Sequence, residues 1–131
     1  MIAVDTSAFA AVLFDEPDAE AFMDAMYDAG ECVVGAPTAF ELRLVTYKRI
    51  GAGSAAMVDA LFARVKARVV PFEAAHVVLA TEALARFGTA PAWLNYGDCM
   101  SYAVARAFDL PLLYKGYDFD GTDMRSVPVG G

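Results

Sequence analysis

Four short apolar runs recur along the chain: Ile2-Ala3-Val4, Cys32-Val33-Val34-Gly35, Arg68-Val69-Val70-Pro71-Phe72 and Leu110-Pro111-Leu112-Leu113-Tyr114. Segments with helical spacing separate each from the next. Runs of this kind, bounded by turn residues, suit strands buried on both faces, and their alternation with helices describes a parallel sheet between two helical layers. The expected fold is therefore a three-layer α/β/α sandwich with a short parallel sheet of four to five strands, the fifth being Val127-Pro128-Val129. The 131 residues fit one domain, 1–131, with room for a real core.

The helices can be placed from their caps and breakers. Asp5-Thr6-Ser7 favour an N-cap and precede a short helix over 8–13. Pro17 with acidic neighbours suits a helix start running to about residue 27. Pro37 opens a helix in which Phe40, Leu44, Val45 and Tyr47 keep helical spacing, and Gly51-Ala52-Gly53 breaks it. Ser54 caps a helix to about residue 65, a helix over 74–87 stops at Gly88, and Gly97-Asp98 opens another to about residue 108.

Charge and hydropathy narrow the function. The net charge is −7, and residues 1–42 contain no Lys or Arg. Sequence-independent DNA binding wants a basic footprint, so this balance argues against it. Mean hydropathy is +0.42 with 58% hydrophobic residues, yet no uninterrupted apolar stretch is long enough to span a membrane. Without the basic start and apolar run of a secretory signal, a cytoplasmic location is expected, and the apolar excess implies a partner chain or a self-dimer. Cys32 and Cys99 belong to no CxxC or Cys/His cluster and read as inert core thiols.

The acidic residues carry the chemistry. Asp5 follows the first strand, Glu41 lies one helical turn after the second, and Asp118 lies in the loop after the fourth. In sheets of this kind functional groups gather beyond the carboxyl ends of the strands. Asp98 opens the helix entering the fourth strand and needs a different route to that edge. Each has an ordinary reading: Asp5 as an N-cap, Glu41 in a capping box with Thr38, Asp98 against a helix dipole, Asp118 as a turn residue. Taken together they are acids in apolar surroundings, with no basic residue near Asp5 or Asp98 in sequence. Such carboxylates are costly to bury without a cation. Oxygen ligands with no His or Cys cluster select Mg²⁺ or Mn²⁺, and a carboxylate-held Mg²⁺ that takes phosphate oxygens makes phosphodiester hydrolysis the natural reaction.

These residues resemble the PIN-domain family, specifically the VapC-type toxins of bacterial toxin–antitoxin pairs. Met1-Ile2-Ala3-Val4-Asp5-Thr6-Ser7-Ala8 is similar to its N-terminal signature and Ala36-Pro37-Thr38-Ala39-Phe40-Glu41 to its second acidic motif. Leu94-Asn95-Tyr96-Gly97-Asp98-Cys99 with Tyr102-Ala103 is similar to the third, and Leu112 through Phe119 with Thr122-Asp123 to the closing motif. The resemblance implies a ribonuclease with Mg²⁺ held by Asp5, Glu41 and Asp98 and a fourth acid near Asp118, dimeric and restrained by a small antitoxin. One departure matters: many members carry an acid at the positions of Gly116 or Tyr117, whereas here Asp118 stands before Phe119, with Asp120 and Asp123 beyond.

Around these acids, Thr6 or Ser7 can hold Asp5 or a metal-bound water, Asn95 can orient the loop before Asp98 or touch substrate, and Lys115 can meet a phosphate. Arg43, Lys48 and Arg49 line an RNA path or balance surface charge. Trp93, Tyr96 and Tyr117 can stack on bases or merely pack, and His76 reads as structural. A haloacid-dehalogenase-like phosphatase wants a second Asp at position 7, which is Ser, and a phospho-receiver domain wants an acid ending the third strand, which has none. The remaining rival is a PIN-like binding or regulatory module with a degenerate metal site. Sequence-specific DNA binding is not expected without the antitoxin.

Overall fold

The structure is a computed structural model and describes residues 1–130. Strands β1 (Ile2–Val4), β2 (Cys32–Gly35), β3 (Ala67–Val70) and β4 (Leu112–Leu113) pair in the order β3-β2-β1-β4, every pair parallel. Ala3 sits opposite Val33 on one side and Leu112 on the other, which fixes the register of the central strands. The helices among the described residues are α1 (Thr6–Leu13), α2 (Ala19–Ala29), α3 (Ala36–Ile50), α4 (Ser54–Arg64), α5 (Ala74–Phe87) and α6 (Tyr96–Ala107). None is long and apolar enough to cross a membrane.

The two-residue period of the strands divides the core. Ile2, Val4, Cys32, Val34 and Leu113 face one way and pack with Phe9, Phe22, Leu42 and Phe62 of α1 to α4. Ala3 and Leu112 face the other way against Ala83, Cys99, Tyr102 and Ala103 of α5 and α6, while Val33 meets Val104. Each fully buried Val, Leu or Phe contributes roughly 1.5–3 kcal/mol. This is the expected three-layer sandwich. Both cysteines are free and buried in it, and burial pushes the Cys32 thiol up to about 11, so it rests as an unreactive thiol at neutral pH.

Several expectations need correction. The segment Val127-Pro128-Val129 is not a strand. A single parallel bridge, Leu112 to Ser126, and the bond from Val127 N–H to the Leu112 carbonyl (3.0 Å) are all that pair there, and Pro128 cannot donate to extend them. Helix α1 starts at Thr6 and α2 at Ala19, later than Pro17 suggested. Ser54 is the first residue of α4 rather than its cap, because Gly53 turns the chain at φ 88°. The regularly spaced Phe40, Leu44, Val45 and Tyr47 do lie on a helix, but on its outer face. The inner face of α3 consists of Thr38, Ala39, Leu42 and Thr46.

Two features of the fold set up the site. Gly35 ends β2 and caps α3 with no loop between them, and it lies so close to Val104 that a Cβ there would stand 2.7 Å from Val104 Cγ2. Helices α5 and α6 form an antiparallel pair: His76 near the start of α5 faces Phe108 beyond the end of α6, and Leu94 N–H bonds the Phe87 carbonyl (2.9 Å). Because α6 runs into β4, its first turn lies at the carboxyl edge of the sheet. That is the route by which Asp98 arrives there. His76 Nδ1 accepts the Glu73 N–H (3.0 Å) at the start of α5, the structural role expected of it.

Candidate active site

Asp5 leaves β1 in extended conformation (ψ 157°) and caps α1, so its carboxylate turns back over the sheet edge. Its Oδ2 accepts from Ser7 N–H (3.1 Å) and Ser7 Oγ (2.6 Å), and its Oδ1 accepts from Ser101 Oγ (2.5 Å). Ser7 Oγ also accepts Lys115 N–H (2.9 Å), which ties the start of α1 to the loop after β4. Asp5 is 7% exposed. The capping role expected of it is therefore real, and the same geometry holds it at the site.

Glu41 enters from the first turns of α3. The cap of that helix is Gly35, so Thr38 and Glu41 form no capping box. Instead Thr6 Oγ1 donates to Glu41 Oε1 (2.5 Å), and Glu41 Oε2 packs against Gly97 on α6. A Cβ at position 97 would overlap that carboxylate.

Asp98 occupies the third position of α6, whose cap is Asn95. Asn95 Oδ1 accepts Asp98 N–H (2.8 Å), and Asp98 Oδ2 accepts Asn95 N–H (3.1 Å), a reciprocal capping box. This corrects the expected start at Gly97-Asp98 and gives Asn95 its place as the holder of Asp98. The Asp98 carboxyl is pushed up from 3.8 to about 6, first by burial and then by the negative charges of Asp118 and Asp5, against the lowering effect of the Asn95 N–H. Asp118 thus faces Asp98. Its acidic neighbours are engaged elsewhere, Asp120 by Tyr114 Oη (2.7 Å), and Asp123 by Tyr102 Oη (2.7 Å), Arg86 and Arg106.

Asp5 and Asp118 lie close enough to Asp98 to act on its charge, and Glu41 is tied to the same region through Thr6 and Gly97; Thr6, Ser7 and Asn95 hold three of the four acids. Lys115 does not join them: its Nζ pairs with Glu16 (2.8 Å) and Asp18 (3.0 Å), which raise its pKa. Arg43 pairs with Asp59 and Arg49 lies over the Phe14 ring (4.0 Å). Among the described residues no ion pair reaches any of the four acids. Three participants escaped the sequence reading. Ser101 is 3% exposed and one helical turn after Asp98, a spacing that offered a signal. Thr38 Oγ1 stands 3.4 Å from Ser101 Oγ, and Gly97 makes room for Glu41. Trp93, Tyr96 and Tyr117 are 66%, 78% and 85% exposed, so these rings are not held by packing.

A divalent cation suits this donor set. The acids are oxygen donors without a basic partner; Asp5 and Asp98 are buried, Glu41 is half-buried and Asp118 exposed, and Asp5 and Asp118 repel the charge of Asp98. Among the described residues no three acidic, His or Cys side chains stand together as a group that could hold a metal ion. Mg²⁺ needs none, since it is held by one or two carboxylates and keeps several waters.

Comparison with known proteins agrees with the architecture. The profile of the PIN domain family matches residues 2–124. The chain is 36% identical over 126 residues to the ribonuclease VapC of Mycolicibacterium smegmatis, covering 95% of this chain and 98% of that one. It is 38% identical over 125 residues to ribonuclease VapC28 of Mycobacterium tuberculosis, covering 93% and 94%. Among solved structures, VapC20 of Mycobacterium tuberculosis, a toxin cleaving the sarcin–ricin loop, superposes with a TM-score of 0.78 at 21% identity, covering 97% and 98%. VapBC2 of Rickettsia felis, bound to a DNA fragment from its promoter, gives 0.77 at 14% identity, covering 98% of each chain. The two structures establish the fold, and the profile and the ribonuclease relatives establish the kinship: the chain is a VapC-type member of the PIN-domain family.

Proposed function

We propose that this chain is the toxin of a type II toxin–antitoxin pair, an endoribonuclease that hydrolyses RNA phosphodiester bonds with Mg²⁺ or Mn²⁺ held by Asp5, Glu41, Asp98 and Asp118. The observation that supports the reading is the nearness of Asp5, Asp98 and Asp118 from three separate segments, with Glu41 tied to the same region through Thr6 and with no ion pair to any of them. The ribonuclease relatives support RNA as the substrate. When bound, the metal would polarise the phosphoryl group and favour deprotonation of an attacking water.

The chain's own residues set the conditions for that chemistry. Ser7 and Ser101 orient Asp5, Thr6 orients Glu41, and the Asn95 cap orients Asp98, all through uncharged donors. Hydroxyl and amide donors fix carboxylates without neutralising them, so the full negative charge stays available to the ion. The repulsion that Asp5 and Asp118 exert on Asp98 would be relieved by a bound cation. The exposed rings of Trp93, Tyr96 and Tyr117 offer faces on which unpaired bases can stack, in place of a basic cleft.

A small antitoxin and a second copy of the chain are the proposed partners. Phe40, Leu44 and Tyr47 on α3 form one exposed apolar surface, and Val77, Leu84 and Tyr96 along α5 and the start of α6 form another. The test is cleavage of a mixed RNA pool by freshly purified, antitoxin-free protein. Cleavage in Mg²⁺ or Mn²⁺ should be lost in Asp5→Asn and Asp98→Asn. A wild type inert toward the whole pool, or variants as active as the wild type, would overturn the proposal.

A further inference from the structure

A carboxylate has about four lone-pair directions, two on each oxygen. At Asp5 the protein fills three of them. Ser7 N–H and Ser7 Oγ together occupy Oδ2, and Ser101 Oγ occupies one side of Oδ1. The direction of each bond is fixed by chemistry: an ionised carboxylate only accepts, so Ser101 donates its single proton to Asp5. Thr38 Oγ1, 3.4 Å away, must then be the donor toward Ser101. Thr38 and Ser101 are 2% and 3% exposed, so water does not compete for this relay.

We infer that Ser101 is a positioning residue: while Ser7 holds Oδ2, Ser101 fixes the one free lone-pair direction on Oδ1, and so makes Asp5 a directed single-oxygen ligand that favours small octahedral cations. The inference rests on the metal site proposed above. Mg²⁺ demands near-ideal octahedral geometry from single oxygens, whereas Ca²⁺ takes more ligands and accepts both oxygens of one carboxylate. With Ser7 covering Oδ2 and Ser101 covering half of Oδ1, two-point binding by Asp5 is closed off. Removing the Ser101 hydroxyl leaves Oδ2 held by Ser7 but the direction of the free Oδ1 lone pair unfixed, a loss that weighs on the strict octahedral geometry of Mg²⁺ and little on the flexible shell of Ca²⁺. Ser101 touches neither substrate nor metal in this account; it acts through Asp5.

The test reads metal binding, separately from activity. Mg²⁺ and Ca²⁺ affinities of the purified full chain are measured by titration calorimetry for wild type, Ser101→Ala and Ser101→Thr. Loss of an outer-shell partner typically weakens a metal site about tenfold or more. Ser101→Ala should therefore bind Mg²⁺ roughly tenfold more weakly and hold Ca²⁺ undiminished. Ser101→Thr, which keeps the hydroxyl, should restore the wild-type preference. Both affinities within twofold of wild type in Ser101→Ala, or an equal loss for both ions, would overturn the inference while leaving the metal site intact. A wild type that binds no Mg²⁺ would overturn the site itself, and the inference with it. Should Ser101→Ala not fold, Ser101→Cys fills the same space with a weak donor and must show the same shift.

Discussion

At the residue scale, Asp98 illustrates how a proposed metal-binding acid can weigh on the fold that carries it. Its carboxyl is raised from 3.8 to about 6 by burial and by Asp118 and Asp5. Between those values the folded chain binds more protons than the unfolded one, so stability falls as pH rises through this window. Below about pH 4 both states are protonated and the penalty is absent; above about pH 6 it is complete. At about 1.4 kcal/mol per pH unit, the ionised group costs the metal-free protein on the order of 2–3 kcal/mol. Asp98→Asn should therefore melt higher than the metal-free wild type at pH 7.5, with the gap closing near pH 4, as followed by thermal denaturation monitored by circular dichroism. An unchanged melting temperature at pH 7.5 would remove the electrostatic account of this residue. Asp5, Glu41 and Asp98 could be proposed from the sequence because each stands near a strand end or helix start in an apolar context. Their supports, Ser101, Thr38 and Gly97, could not. Nothing local marks a serine on α6 as the partner of an aspartate 96 positions earlier.

At the element scale, the strands and helices were readable from period and punctuation, and the errors are instructive. The apolar spacing of Phe40, Leu44, Val45 and Tyr47 identified a helix correctly but not its buried side. Hydrophobic spacing reports a face, and on α3 that face points to solvent while small and hydroxylic residues meet the sheet. The fifth strand failed because Pro128 removes a donor just where a ladder would continue. The crossing of α3 and α6 gives a prediction of its own. Ala is a better helix former than Gly by about 1 kcal/mol, so Gly97→Ala should leave the fold intact. Its Cβ meets the end of the Glu41 side chain, which can move aside, but only by leaving its place beside Thr6. The variant should keep the wild-type circular dichroism spectrum and lose RNA cleavage by roughly tenfold or more, a misplacement effect of a size known for displaced catalytic groups. Full activity would show that Glu41 need not hold this position. Gly35→Ala should behave differently, since its neighbour is the buried Val104 rather than a flexible chain end. There, overpacking should lower stability by about 1–3 kcal/mol, measured by denaturant unfolding.

At the scale of the whole molecule, the sheet order β3-β2-β1-β4 brings the ends of β1, β2 and β4 and the start of α6 to one edge, and the acids follow from that topology. Under the proposed function the net charge of −7 is no obstacle to an anionic substrate, because the local surplus of negative charge would recruit a cation. The apolar excess legible in composition is found as two exposed surfaces, one on α3 and one along α5. Light scattering of the purified chain should give a dimer or a complex with a small partner; a monodisperse monomer would contradict that. The central claim is hydrolysis by a metal-activated water, and the chemistry of the product ends tests it most directly. Attack by water leaves the RNA 2′-hydroxyl unused. Fragments formed in Mg²⁺ or Mn²⁺ should thus carry linear monophosphate and hydroxyl ends, and their formation should stop with EDTA and in Asp98→Asn. Fragments ending in 2′,3′-cyclic phosphate, or cleavage that persists in EDTA, would contradict the account.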